Sequence, residues 1–188
     1  MKKITIALIM VISLIAPIQT MAESVTQNGT IIEPLEQNIE QIIDEITSEP
    51  RPINSDAIQN VKEYISEYFG NLGYDNIEYQ KFEYNDENNE NAIRHSSQAD
   101  VFLASTAENA IVDGIGENII VTKNSSIDTT KNLIISAHYD SAEDSVGAND
   151  NGSGVAAVLE LARILKDTEI PYNIKFILFS GEEKYMLG

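Results

Sequence analysis

The chain has 188 residues, of which 12 are basic and 30 acidic, and a formal charge of −18. That balance excludes a nucleic-acid partner, whose phosphates need a basic surface, and it is wrong for an anionic membrane surface. There is no cysteine, so an apolar core or a metal must hold the fold instead of disulfides.

Residues 1–22 read as a secretory signal peptide. Lys2 and Lys3 form its charged start, Ile4 to Ile18 its apolar stretch, and Ala22 the small residue at the expected cut. The apolar stretch, about 15 residues, falls short of the ~20 that a spanning helix needs. The expectation is therefore a secreted, extracellular protein with no membrane association after cleavage. What remains, about 166 residues, fits one domain. Residues 23–50 are read as an N-terminal extension or pro-segment and 51–188 as the domain proper.

Residues 23–34 are expected to be a loose start. Leu35, Ile39, Ile42, Ile43 and Ile46 keep helical spacing until Pro50 and Pro52 end the helix. A second helix is predicted from about Ser55 to Leu72, with Ile58, Val61, Ile65, Tyr68, Phe69 and Leu72 on one face and Gly73 at its end. "NIEYQKFEY" alternates as a strand. "NDENNENAIRHSSQ" is a polar loop in which His95 is expected to be solvated. "ADVFLAS" and "ENIIVTK" read as strands. "NLIISAHYD" is apolar enough for a strand covered on both faces. A helix from about Gly154 to Lys166 follows, with Val155, Val158, Leu159, Ala162 and Leu165 inward, and then the buried strand "YNIKFILFS". Strand, helix, strand is a parallel crossover, so the class is α/β around a central sheet.

Both buried strands end in chemistry, "IISA-HYD" and "ILFS-GEE". Ligands of open α/β sheets sit beyond the carboxyl ends of the strands. His138, Asp140, Glu182 and Glu183 should meet there, with Asp150 above them in the loop "GANDNGSG". One imidazole with several carboxylates suits a divalent transition metal such as zinc. His138 and Asp140, two apart on a strand, share a face, so Asp140 can orient the imidazole. Gly147, Gly152 and Gly154 let the loop turn sharply and approach an ion. Asp150 has two oxygens and could bridge two ions. Glu182 and Glu183, as sequence neighbours, are expected to diverge, one binding metal and the other taking a proton from the attacking water. That division suits metal-assisted hydrolysis of a carbonyl bond.

"HYDS", "GANDNGSGVAAVLELARIL" and "IKFILFSGEEKYMLG", with "AIQNVKEYISEYFGNLGYDNIEYQKFEY" upstream, resemble the co-catalytic zinc aminopeptidases, the secreted bacterial leucyl aminopeptidase and aminopeptidase S type. The resemblance covers roughly residues 50–188. It implies a three-layer α/β/α zinc-exopeptidase-like domain with a central mixed, mostly parallel sheet. It also implies two Zn2+ ions, with His138, Asp150 and Glu183 as ligands, Glu182 as general base and Asp140 orienting His138. The substrate class implied is a peptide with a free N-terminus, and the expected state is a monomer. That family has five metal ligands and this sequence supplies three. The other two, an aspartate and a histidine, would lie beyond Gly188, and His95 precedes the core strands and cannot stand in. The domain is thus read as truncated at its C-terminal side, leaving an exposed apolar edge on "IKFILFS", binding zinc weakly and with little or no peptidase activity. The alternatives are a glutaminyl cyclase-like zinc acyltransferase and a non-catalytic interaction domain on a peptidase-like fold.

Overall fold

The computed structural model of the protein describes residues 25–27, 30–32, 34–84, 114–184 and 186–188, the first two stretches as backbone. The expected signal peptide, the polar loop with His95 and the strand "ADVFLAS" lie outside them. Strands β1 (Val25–Gln27) and β2 (Thr30–Ile32) pair antiparallel as a separate ribbon where a loose start was expected. The signal passed over is Asn28–Gly29 between runs of β-formers.

Helix α1 (Glu36–Ile46) turns Ile42 and Ile46 inward. Helix α2 (Asp56–Asn71) starts where expected, with the Ser55 hydroxyl accepting the Ile58 N–H at 3.1 Å. Its buried stripe is Ile58, Val61, Ile65 and Phe69, and Gly73 (φ 84°) follows it. Next come β3 (Ile77–Tyr84), β4 (Gly114–Lys123), β5 (Asn132–His138), helix α3 (Ser153–Leu165) and β6 (Asn173–Phe179).

The sheet order is β3-β4-β6-β5. The crossover expected from sequence is there: β5 and β6 pair parallel, with His138 opposite Phe179. β4 pairs antiparallel with both β3 and β6, so the described part of this mixed sheet holds more antiparallel than parallel pairing.

All three helices share one apolar core with Ile119, Val121, Ile174, Phe176 and Leu178 of the sheet. Along β6 buried residues alternate with half-buried ones, as they do when a single face is covered. No helix among the described residues packs on the opposite face, and none is long and apolar enough to cross a membrane.

Two expectations change. β5 is not covered on both faces: Leu133 and Ile134 are 44% and 59% exposed, because β5 is the edge of the described sheet. The open apolar edge expected on β6 is therefore on β5, since β6 is paired on both sides. Glu160 of α3 is only 2% exposed. It is tolerated because it accepts from Leu35 N (2.8 Å) and Asn38 Nδ2 (2.6 Å) and pairs with Arg163, which fastens α1 onto α3.

Candidate metal centre

The parallel pairing of β5 and β6 brings the carboxyl ends of both strands to one edge of the sheet. His138, the last residue of β5, is buried, with Nε2 3.1 Å from Asp150 Oδ1 and 3.8 Å from Glu182 Oε2. His138, Glu182 and Glu183 each offer a ligand atom, all within 4.8 Å of one another. Asp150 touches His138 without joining that compact triple. The four carboxylates singled out in the sequence thus stand around the His138 imidazole.

Glu182 and Glu183 do not diverge. They lie past the strand, on a turn that follows Gly181 (φ 80°), where neighbouring side chains no longer alternate. Asp140 shapes that turn. It is fully buried, and its two oxygens accept the backbone N–H groups of Glu182 (3.2 Å) and Glu183 (3.0 Å). Its Oδ1 stands 3.5 Å from His138 Nδ1, a charge contact in which no hydrogen bond has formed, and Nδ1 is buried without a partner. Asp140 therefore braces the glutamate turn directly and faces the histidine electrostatically.

The glycines divide their work. Gly147 has φ 58°, and a Cβ there would meet Asp150 O at 2.6 Å, so the turn needs glycine. Gly154 leaves room for the Asn151 side chain, whose Oδ1 accepts the Gly154 N–H in the first turn of α3 at 3.1 Å. Between them Asp150 leaves helical geometry (φ −118°, ψ 93°), and the Asp150–Asn151 peptide is cis.

Sequence reasoning missed Arg51, which lies between Pro50 and Pro52. It is completely buried and donates to the Tyr139 (2.7 Å), Val146 and Gly147 (3.2 Å) carbonyls. Its signal was weak: an arginine in an acidic chain, at a point where Pro50 and Pro52 forbid helix. Asn118 was missed too; its Oδ1 accepts the Ser180 N–H at 3.0 Å and anchors the end of β6.

Burial opposes the imidazolium of His138, but Asp140, Glu182 and Asp150 outweigh it and push the pKa up from 6.5 to about 9. Glu183 is raised by desolvation and by repulsion from Asp150 and Glu182. Because the folded His138 pKa lies above the unfolded one, its imidazolium adds stability below about pH 6.5 that is lost as pH rises through about 9. Chelator-treated protein should therefore melt at lower temperature as pH climbs through that window. His138→Gln should flatten the profile; an unchanged slope would place the charge elsewhere.

A buried imidazole with an orphaned Nδ1, ringed by four carboxylates, is a donor set that fits zinc: nitrogen and oxygen ligands, with surplus negative charge for a dication. Residues 118–188 match peptidase family M28. This part of the chain is M28-like. The M28-like chain is 42% identical over 80 residues to Aminopeptidase YwaD of Bacillus subtilis, covering 42% of itself and 18% of that relative. In fold it is similar to the zinc aminopeptidase BSAP from Bacillus subtilis (TM-score 0.63, 18% identity, covering 82% of this chain and 63% of that one). It is also similar to Fimbriiglobus ruber glutaminyl cyclase (TM-score 0.62, 19% identity, 90% and 51%). It therefore spans less than a fifth of the aminopeptidase relative and a half to two thirds of these solved chains. One of these solved neighbours is a zinc aminopeptidase, and among the described residues His138, Glu182 and Glu183 form a group that could hold a metal ion.

Proposed function

We propose that this chain contributes the strand-end half of a zinc-dependent aminopeptidase centre that releases N-terminal residues from peptides. The observation that carries the reading is the convergence of His138, Asp150, Glu182 and Glu183 at the paired ends of β5 and β6. His138, Asp150 and Glu183 would hold zinc, with Asp150 shared between two ions. Zinc, when bound, supplies an acidified water and a Lewis acid for the scissile carbonyl. Glu182, its side chain 44% exposed, receives the proton of the attacking water on a carboxylate oxygen and passes it to the leaving amine. Asp140 keeps that carboxylate in place through the Glu182 N–H. The substrates proposed are peptides with a free N-terminus, handled by a monomer. The signal-like residues 1–22 support action outside the cell.

Zinc titrated into the purified protein should bind, be stripped by chelator and be lost with His138→Ala. Uptake that survives His138→Ala would sink the reading. The likeness to a glutaminyl cyclase favours a second chemistry on the same centre, ring closure of an N-terminal glutamine. A glutaminyl peptide separates the two: hydrolysis frees an amino acid, whereas cyclisation frees ammonia and leaves the peptide length unchanged.

A further inference from the structure

We propose that Arg51 is a positioning residue of the metal centre: its buried guanidinium closes the loop 139–147 into a ring and so sets where Asp150 stands relative to His138. The inference rests on the metal reading above and concerns a residue outside the ligand set.

The two flanks of that loop meet on Arg51. On the histidine side, its Nε–H donates to the carbonyl of Tyr139, the residue after His138, at 2.7 Å. Its own N–H donates to Ser141 Oγ at 2.9 Å, and its carbonyl accepts the Ser141 N–H at 3.2 Å. On the aspartate side, Nη1 donates to Val146 O and Nη2 to Gly147 O at 3.2 Å. Ser141 Oγ also donates across the ring to Ser145 O at 2.8 Å.

The connection reaches Asp150 through Gly147. The Gly147 carbonyl is shared between Arg51 and the Gly152 N–H, at 2.8 Å, so it anchors both ends of the turn that contains Asp150. The Asp150 carbonyl packs so close to Gly147 that a Cβ there would stand 2.6 Å from it. Displacing Gly147 therefore displaces Asp150, and Gly147 is held by a cation with no freedom to move. Only a guanidinium can do this: three carbonyls in different directions need its rigid fork, which a lysine ammonium lacks. Burial lowers the Arg51 pKa, and the fields of Asp140 and Glu183 offset part of that. The arginine thus lies as a fixed positive charge under the acidic cluster, present before any metal arrives.

A residue needed for folding alone would lower stability and leave the metal affinity of folded molecules unchanged. A positioning residue changes the affinity itself. Zinc titrated by calorimetry into wild type, Arg51→Lys and Ile65→Val tests this, with Ile65 a fully buried control in α2, remote in sequence from the loop. Arg51→Lys should weaken zinc binding about 10–100-fold, the range for groups that orient ligands. The visible spectrum of bound cobalt should change with it. Ile65→Val should lose stability but keep both affinity and spectrum.

Equal affinity in wild type and Arg51→Lys overturns the proposal and leaves the metal reading standing. Wild type that takes up no zinc overturns both. A metal-free readout guards against a variant that fails to fold. The Arg51 Nε–H of wild type should exchange slowly with solvent whether or not zinc is present. Fast exchange in the zinc-free protein would show that the ring is not preformed and would end the proposal.

Discussion

Glu182→Gln, made in a longer form that completes the proposed centre, is expected to lower hydrolysis of an aminoacyl substrate about 10²–10⁴-fold while zinc content stays that of the unaltered protein. Glutamine keeps the shape of glutamate and loses the capacity to take a proton. The backbone bond from Glu182 N to Asp140 survives the change, so the turn keeps its place. The side chain stands 3.8 Å from His138 Nε2 and is 44% exposed, close to the centre and open to water. A fluorogenic substrate with zinc saturating gives turnover, and atomic absorption gives metal content. Loss of zinc together with turnover would recast Glu182 as a ligand, in keeping with its place in the compact triple with His138 and Glu183. Unchanged turnover would remove it from the chemistry altogether.

Phe69→Ala should cost about 3–5 kcal/mol of unfolding free energy, the range for deleting a buried aromatic ring. Phe69 is fully buried at the meeting of α2, the following turn and the sheet. Its ring lies 5.5 Å from Tyr74, edge to face, and 5.7 Å from Phe176 of β6. Tyr74 is itself tied to α3 by a hydrogen bond to Ala162 O at 2.9 Å, so it cannot swing in to fill the gap. Against a total of about 5–15 kcal/mol this is a large fraction. Urea denaturation should show a lower midpoint at unchanged slope, with zinc affinity intact in the folded fraction. A loss below about 1.5 kcal/mol would mean that the core relaxes into the space, as it does after smaller deletions.

The helices and strands were readable because each buries a single stripe whose period is local. Ile58, Val61, Ile65 and Phe69 show theirs within four turns, and all are buried. The convergence of the site was readable for a different reason: a parallel crossover must bring both strand ends to one edge, and His138 and the glutamates lie at those ends. What stayed hidden is non-local. Nothing in "IKFILF" reveals that β4 pairs with it on its far side, so the exposed edge was assigned to the wrong strand. Arg51 acts on a loop about 90 residues away, and Glu160 is buried because α1, from a distant part of the chain, supplies its donors. Spacing alone carries no record of such partners. The glutamate pair was misjudged on local grounds, since strand alternation was assumed past the point where Gly181 ends it.

The pairing of β5 with β6 has one more consequence. His138 lies opposite Phe179, and side chains in a strand switch faces at every residue. A slip of one position would turn the imidazole away from its carboxylates and present Ala137 or Tyr139 in its stead. The sheet's alignment therefore acts as an on–off gate for the chemistry, and an injury that merely shears the two strands can silence the protein while most of it is still folded.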